Sequence, residues 1–349
     1  MDNTTTHTPT TANMDNTTTH TPTTATTTAT TTATTTVKTR DNKYTANHWI
    51  KYSNGKNKTN FWLFKILNLL SMEELATVRL TAHFFDYCWQ LRIKKRCLHV
   101  PRDVQTLESA NRLAFLVSTK LELCKINPLK IMIGKGVHQI VGNKRMKVTC
   151  SYIIFVGNDK DQTTVRGGFK VDNQQHVKFE ELTITNQSGP RPGAGLSLTG
   201  IGTTVELLNC IVKRCGRAGM QVRGGATVRA TQCEFRENGT AMDDIFLNGD
   251  GVYCSGANTK AILTDCTMHH NGRDGLFARN DAVVDLHGTN TSLDCNEFHG
   301  MYAFRGGAKI NIHLPPSLVV SDRNVGDDRH QARGGSIANI NPDGTFTHT

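Results

Sequence analysis

The sequence predicts a mainly β protein whose C-terminal two-thirds forms a right-handed parallel β-helix, a solenoid with coils of about 23–25 residues. Two repeated features predict this fold. The first is a glycine that opens a short apolar run, at Gly219, Gly251, Gly275 and Gly300. The second is an upstream position held by a small residue, at Cys210, Cys233, Cys266 and Thr291.

The spacing of the upstream position sets the length of a coil. Its four members lie 23, 33 and 25 residues apart, and the middle interval carries a nine-residue insertion around 240–248. Removing the insertion leaves a period of about two dozen residues, made of β-type residues with Gly and Asn turns. A helical repeat needs about 33 or more residues and a 3.6-residue periodicity, so a β-solenoid is the better interpretation.

The alternation of side chains along a strand gives each column a direction. Two columns should point inward: Met220, Val222, Val252, Cys254, Leu276, Ala278, Met301 and Ala303 form one, and Val212, Phe235, Met268 and Leu293 the other. A turn should stack Asn238, Asn271 and Asn296 as an amide ladder. We interpret the cysteines as stacked small hydrophobic residues, because the paired C-x-x-C spacing of metal sites is absent. No metal or cofactor is predicted.

The opposite parity places aromatic and arginine side chains on an outer face. We call this set the aromatic–arginine stripe and expect it to bind a target: Arg223, Tyr253, Phe277, Arg279, Tyr302 and Phe304. Such a stripe is unusual on a strand that contacts only water, and it suits a peptide, a sugar chain or a loop of a partner. The alternative is that the 240–248 insertion or the C-terminal tail covers it.

Residues 100–117 resemble the entry of many parallel β-helix proteins, in which a strand and a helix with the pattern T-L-x-x-A plug the open end. The segments at 130–133, 136–140, 153–157, 164–168 and 177–184 then continue as coils. Together with the later repeats, residues 100–315 resemble the right-handed β-helix (pectate-lyase-like) superfamily. That resemblance implies either recognition or polysaccharide chemistry, and the domain would extend over 100–349.

Residues 61–86 show a different pattern, within a segment that we bound at 41–99. Ser71 and Glu74 form a capping box between two amphipathic helices, and Arg79, Leu80 and a terminal Phe-Phe follow. This segment resembles an F-box, although Lys58-Thr59 replaces the family's opening Leu-Pro. The resemblance implies a Skp1-like adaptor, bound by Leu63, Ile66, Leu67, Leu70, Leu75 and Val78. An ordinary helical hairpin is the alternative.

Composition distinguishes two further segments of the chain, a Thr-rich tract and a basic segment. Residues 1–40 are a Thr-rich tract that we expect to be disordered, because it has too little apolar surface to offset the entropy of ordering. The net charge of +10 is concentrated in residues 38–150, which hold 21 Lys and Arg against 7 Asp and Glu. Nucleic-acid binding by that segment is a minor alternative. Neither a membrane span nor a signal peptide is predicted, so the expected location is the cytoplasm or nucleus.

An F-box joined to a β-helix resembles the substrate receptors of ubiquitin ligases, which implies recognition without chemistry. The rival function is a polysaccharide lyase or glycoside hydrolase, for which Asp243, Asp244 and Asp250 are weak catalytic candidates. Aligned carboxylates on adjacent coils are not expected along the stripe, because Asp274 and Asp281 occupy turn positions where Asp is common. A non-catalytic recognition protein is therefore the favoured hypothesis.

Overall fold

A computed structural model describes residues 96–143, 145–187, 193–239, 249–315, 317–341 and 343–348. Over these ranges the chain forms three parallel sheets that wind into a β-helix, together with the helix α1 (Leu107–Ser118) and one short 3₁₀ turn (Val141–Asn143). The predicted Thr-rich tail, the F-box-like helices and all six adaptor-binding residues lie outside the described residues. No helix in the described part is long and apolar enough to cross a membrane.

Each coil visits the three sheets in the same order. The long sheet comes first in a coil; its strands are β1 (Cys97–Val100), β2 (Leu129–Ile133), β5 (Ile153–Gly157), β8 (Val177–Glu180), β11 (Thr204–Leu208), β14 (Thr227–Thr231), β17 (Lys260–Thr264), β20 (Val283–His287), β23 (Lys309–Ile312), β26 (Ser336–Ile340) and β27 (Phe346–His348).

The second element of a coil lies in the side sheet, and the third lies in the stripe sheet. The side sheet consists of β3 (Gly136–Gln139), β6 (Thr163–Arg166), β9 (Thr183–Asn186), β12 (Ile211–Cys215), β15 (Glu234–Arg236), β18 (Thr267–His269), β21 (Ser292–Asp294) and β24 (Ser321–Asp322). The stripe sheet consists of β4 (Met146–Lys147), β7 (Phe169–Asp172), β10 (Leu196–Thr199), β13 (Met220–Arg223), β16 (Val252–Ser255), β19 (Leu276–Arg279), β22 (Met301–Phe304) and β25 (Arg329–Ala332).

One left-handed residue makes the sharp bend between the long sheet and the side sheet. It recurs in successive coils as Glu181, Asn209, Gln232 and Asp265, with φ between 49° and 54°. A single such residue turns the chain without a longer loop, and the next residue then points into the core. This bend divides the predicted segment 177–184 into two strands, β8 and β9. It also places the buried cysteines Cys210, Cys233 and Cys266 directly after it.

The core runs along the axis of the β-helix. Every residue of the two predicted inward columns is fully buried, with 0% relative exposure. The cysteines of the third column are free and buried, and their thiols donate to backbone carbonyls such as that of Phe179. In the first coils the core contains Phe155, Phe169 and Phe179, whose ring centroids lie 4.7–5.3 Å apart. The predicted core is confirmed.

The predicted asparagine ladder is also confirmed, and it is one coil longer than expected. The Nδ2 of Asn238 donates to Oδ1 of Asn271 at 3.0 Å, Asn271 donates to Asn296 at 2.9 Å, and Asn296 donates to Asn324 at 2.8 Å. Each amide also bonds to backbone, as when Asn271 Nδ2 donates to the carbonyl of Phe235. Buried polar groups at this turn are therefore paired from coil to coil.

The repeated glycine before each stripe-sheet strand is explained by the close approach of neighbouring coils. A Cβ added to Gly275 would lie 2.8 Å from both the carbonyl oxygen of Gly300 and Nδ2 of Asn296. Any side chain here would push the next coil away and open the asparagine ladder. The glycine signature thus reports coil-to-coil packing at this turn.

Both ends of the described solenoid are closed by other elements. Helix α1 begins at the N-cap Thr106, whose hydroxyl accepts from the Ser109 N–H, and it buries Leu107, Leu113 and Val117 against the first coils. At the other end β25 and β26 add a further coil, and β27 pairs antiparallel to β26. A helix is therefore present within residues 100–117, where the sequence predicts one, and the first described strand begins at Cys97.

Candidate functional site

The aromatic–arginine stripe lies on the outer face of the stripe sheet, in the register that the sequence predicts. Strand pairing aligns Tyr253, Phe277 and Tyr302 on adjacent coils, and it continues the row to Gln221 on one side and His330 on the other. Two residues further along each strand, it aligns Arg223, Ser255, Arg279, Phe304 and Ala332. The geometry of the stripe is therefore as predicted, while its role in binding stays a prediction.

The rings form a continuous stack beside the main core. Tyr253 meets Phe277 edge-on at 5.5 Å between centroids, and Phe277 stacks on Tyr302 at 4.9 Å with an interplanar angle of 11°. Phe304 packs obliquely against Tyr302 at 5.5 Å. Aromatic pairs at these separations attract each other beyond the effect of area alone, by about 0.5–1.5 kcal/mol. The four rings therefore form one continuous aromatic platform.

Guanidinium groups surround the platform. Arg223 lies 4.7 Å from the Tyr253 ring centroid and Arg273 lies 4.7 Å from that of Phe277. Three more arginines approach the ring of Phe304: Arg279 at 5.8 Å, Arg305 at 5.7 Å and Arg333 at 5.4 Å. The sequence predicted two of these five arginines. Arg273, Arg305 and Arg333 were missed because they lie in turns, where the strand alternation gives no direction.

Four of these guanidiniums have no carboxylate partner within 4.0 Å among the described residues: Arg223, Arg279, Arg305 and Arg333. Arg145 and Arg217 add further positive charge near Arg223. Burial, and then the charges of Arg217 and Arg223, lower the pKa of Arg145. Unpaired arginines gathered beside aromatic rings create a positive potential that favours an anionic partner. The stripe sheet therefore presents a cationic and aromatic surface.

Access to the stripe differs between its two ends. Tyr253 and Phe277 are only 5% and 3% exposed although they face away from the core, whereas Tyr302 and Phe304 are partly exposed. The guanidiniums of Arg223 and Arg273 lie over the first two rings. The predicted covering insertion, 240–248, lies outside the described residues. The C-terminal tail extends the sheet through β25 rather than covering it. The C-terminal end of the stripe is thus its accessible part.

A second row of polar residues runs along the edge of the stripe, at the turn before each strand. The backbone N–H of each repeated glycine donates to the carbonyl of the turn residue one coil on, as Gly251 does to Asp274. These bonds align four polar residues, Asp250, Asp274, His299 and Asp327, and Ala218 holds the equivalent place in the preceding coil. Asp250 and Asp274 are both fully buried. The structure thus corrects the expectation that carboxylates are not aligned here. Asp274 is a buried member of this row and no ordinary exposed turn residue.

The two buried carboxylates differ in their partners. Asp274 accepts hydrogen bonds from the His299 backbone N–H at 3.1 Å and pairs with His299 Nδ1 at 2.8 Å, and Arg273 Nε lies 3.3 Å from its other oxygen. Neither oxygen of Asp250 has a hydrogen-bond partner among the described residues, and Arg273 Nε lies 3.9 Å away. Burial, and then the negative charge of Asp274, raises the pKa of Asp250 to about 8. Asp250 is therefore protonated at neutral pH.

The other predicted catalytic candidates do not join this row in the described structure. Asp243 and Asp244 lie outside the described residues. His269 ends strand β18 of the side sheet, where its Nε2 pairs with Glu234 at 3.0 Å, and His270 follows it in the turn. Asp281 is an exposed turn residue that accepts from the Gly307 N–H. The residue before each repeated glycine is the sequence feature from which this buried row could have been predicted.

Histidines continue the row beyond Asp274. His299 stacks on His330 at 4.5 Å, and His330 Nδ1 pairs with Asp327 at 2.7 Å. One atom from each of His299, Asp327 and His330 lies within 4.8 Å of the others, which is close enough for a shared metal ion. The Nδ1 atoms of both rings, however, are already paired with carboxylates. In the described structure these groups tie the accessible end of the stripe to the buried carboxylates.

The fold defines a class of protein, the parallel β-solenoids. Residues 138–314 match the family model described as right handed beta helix region, so the chain belongs to the right-handed β-helix family. Among solved structures, ORF18 of Geobacillus virus E2 is similar at 7% identity with a TM-score of 0.31, over 73% of this chain and 63% of that one. At that score the likeness adds nothing to the fold assignment. No curated protein matches the sequence.

The raised pKa of Asp250 predicts a specific pH dependence of stability. The folded value of about 8 exceeds the unfolded value of 3.8, so this contribution is fully present below pH 3.8 and is lost as pH rises through 8. The slope should approach about 1.4 kcal/mol per pH unit between these limits. Asp250→Asn mimics the protonated acid and should be more stable than the wild type at pH 8, by chemical denaturation.

The control is Asp161→Asn, which changes an exposed carboxylate. Its free energy of unfolding should differ from that of the wild type by the same amount at pH 5 and pH 8. If the difference between Asp250→Asn and the wild type were equally independent of pH, Asp250 would not be protonated in the folded protein.

Proposed function

We propose that this chain is a non-catalytic recognition protein that binds an acidic segment of a target protein through the accessible end of the aromatic–arginine stripe. The observation that carries the proposal is the group of three guanidiniums around the Phe304 ring, none of which has a carboxylate partner among the described residues. Rigid aromatic rings and arginines dominate binding energy at protein interfaces. Carboxylates of a target would supply the charge that this surface lacks among its described neighbours.

The chemistry of the surface favours binding over catalysis. The groups at the accessible end are rings and guanidiniums, whereas the nearest aligned carboxylates, Asp250 and Asp274, are fully buried. Glycoside hydrolysis needs carboxyl groups that converge on the scissile bond. We therefore assign the buried pair a structural role in the recognition protein.

The resemblance of residues 61–86 to an F-box extends this proposal. In an F-box-type substrate receptor of a ubiquitin ligase, those helices would bind a Skp1-like adaptor, and the β-helix would present the target. The two interactions would use separate parts of the chain. A loss of adaptor binding would leave the recognition function of the stripe intact.

Polysaccharide chemistry is the second candidate function. A protonated Asp250 beside Asp274 is the kind of acid pair that glycosidases use, because one carboxyl must hold its proton at neutral pH. Any such activity requires a rearrangement that exposes Asp250. An acidic glycan could also bind the arginines without being cleaved.

Binding to defined polymers tests the proposed surface. We expect a random glutamate–tyrosine copolymer to bind the full chain, because it offers carboxylates for the arginines and rings for the platform. The double variant Arg279→Gln/Arg333→Gln should weaken binding at least tenfold, and Phe304→Ala should do so severalfold, by fluorescence anisotropy. The matched control is Arg112→Gln, an exposed arginine on α1.

Two polymers distinguish the other outcomes. A lysine–tyrosine copolymer should not bind, and its binding would overturn the electrostatic argument. Polygalacturonate tests the second candidate: release of reducing ends that Asp250→Asn abolishes would replace recognition by enzymatic activity. If neither acidic polymer bound, the proposed surface would be wrong.

The F-box extension has its own test. Purified Skp1 homologue should be retained by the immobilised full chain, and Leu67→Asp/Leu70→Asp should abolish retention because two charges would enter an apolar interface. Leu116→Asp, on the exposed side of α1, is the matched control and should leave retention unchanged. No retention by the wild-type chain would remove the ligase hypothesis.

A further inference from the structure

Three potential metal ligands meet on the outer face of the long sheet, away from the stripe sheet. Asp285 and His287 belong to β20, on the side opposite to the inward residues Val284 and Leu286. His313 follows β23 and lies one coil further along, over His287. Asp285 is 8% exposed, His287 is half-buried, and the side chain of His313 is 32% exposed.

The spacing of the three side chains suits one ion. The rings of His287 and His313 stack at 4.3 Å with an interplanar angle of 10°, and His313 Nε2 lies 3.5 Å from Asp285 Oδ1. One donor atom of each residue lies within 4.8 Å of the other two. Tetrahedral Zn²⁺ with bonds of about 2.0–2.1 Å holds its ligand atoms roughly 3.4 Å apart. The three atoms lie up to 4.8 Å apart, so binding would draw them closer together.

Neighbouring residues fix the carboxylate. Asn311 Nδ2 donates to Asp285 Oδ1 at 2.8 Å, which orients the group and leaves a second lone pair on that oxygen. Lys260 Nζ lies 2.9 Å from Oδ2.

The chemical types of the three side chains also suit a metal, because each imidazole offers a nitrogen and the carboxylate offers oxygens. Carboxylate and imidazole together are a donor set that Zn²⁺ accepts.

We propose that Asp285, His287 and His313 bind one Zn²⁺ ion, with water as the fourth ligand. The ion would link two adjacent coils on the outer face of the long sheet, through one carboxylate and two imidazoles. Without the metal, the Lys260 ammonium supplies the positive charge beside Asp285, so Lys260 would compete with the ion for this carboxylate. The proposal does not depend on the proposed recognition function.

Metal titration tests the site. The full chain, stripped with chelator, should bind Zn²⁺ in calorimetry, and His287→Ala/His313→Ala should bind one equivalent fewer. Co²⁺ should give the visible absorption of a tetrahedral site in the wild type, and this signal should disappear in the double variant. The matched control is His270→Ala, an exposed histidine in the turn after β18. His330→Ala removes a member of the other histidine group, His299, Asp327 and His330, and should leave the tetrahedral signal unchanged.

Lys260→Gln gives a measurement in the opposite direction. Removal of a positive charge a few ångströms from the ion should tighten Zn²⁺ binding on the order of tenfold, while thermal stability without metal should fall. Equal stoichiometry in the wild type and His287→Ala/His313→Ala would show adventitious binding only and overturn the proposal. Weaker Zn²⁺ binding by Lys260→Gln would likewise contradict a metal beside Asp285.

Discussion

The register between neighbouring coils is the constraint on which the rest of this structure depends. Parallel strands hold it along each sheet, and at one turn the buried ladder of Asn238, Asn271, Asn296 and Asn324 holds it with side-chain amides. An amide that lost its neighbours there would leave several buried polar groups unpaired, at about 1–3 kcal/mol each. The repeated glycine has the same cause, because a Cβ at Gly275 would separate the coils. Register is thus enforced by both close packing and hydrogen bonding.

A fixed register turns residues about two dozen positions apart into neighbours. The stack of Tyr253, Phe277 and Tyr302 arises in this way, and so do the buried pair Asp250 and Asp274 and the group of Asp285, His287 and His313. Each lies on a different line along the solenoid. The chain can therefore place a cationic aromatic surface, a buried acid pair and a candidate metal site on one scaffold without any of them disturbing the core columns.

The repeat made the strand-borne part of this arrangement predictable. Because side chains alternate along a strand, one alignment was enough to place Met220 and Val222 inward and Tyr253 and Phe277 outward. Alternation gives direction but not accessibility, so the near-complete burial of Tyr253 and Phe277 could not be read from it. Turn residues such as Arg273 and Arg333 have no period of two, and their convergence on the rings depends on the three-dimensional path of each turn. The partnership of His287 with His313 was missed because the preceding coil has Thr264 there.

The central claim is that the accessible end of the stripe, and not the basic segment before the β-helix, contacts an acidic target. Hydroxyl-radical footprinting of the full chain with and without the glutamate–tyrosine copolymer tests it most directly. The account predicts that oxidation of Tyr302 and Phe304 falls when the polymer binds, while oxidation of Phe346, which is 64% exposed on β27, stays unchanged. Unchanged oxidation of Tyr302 and Phe304, with protection confined to residues 38–95, would contradict the account.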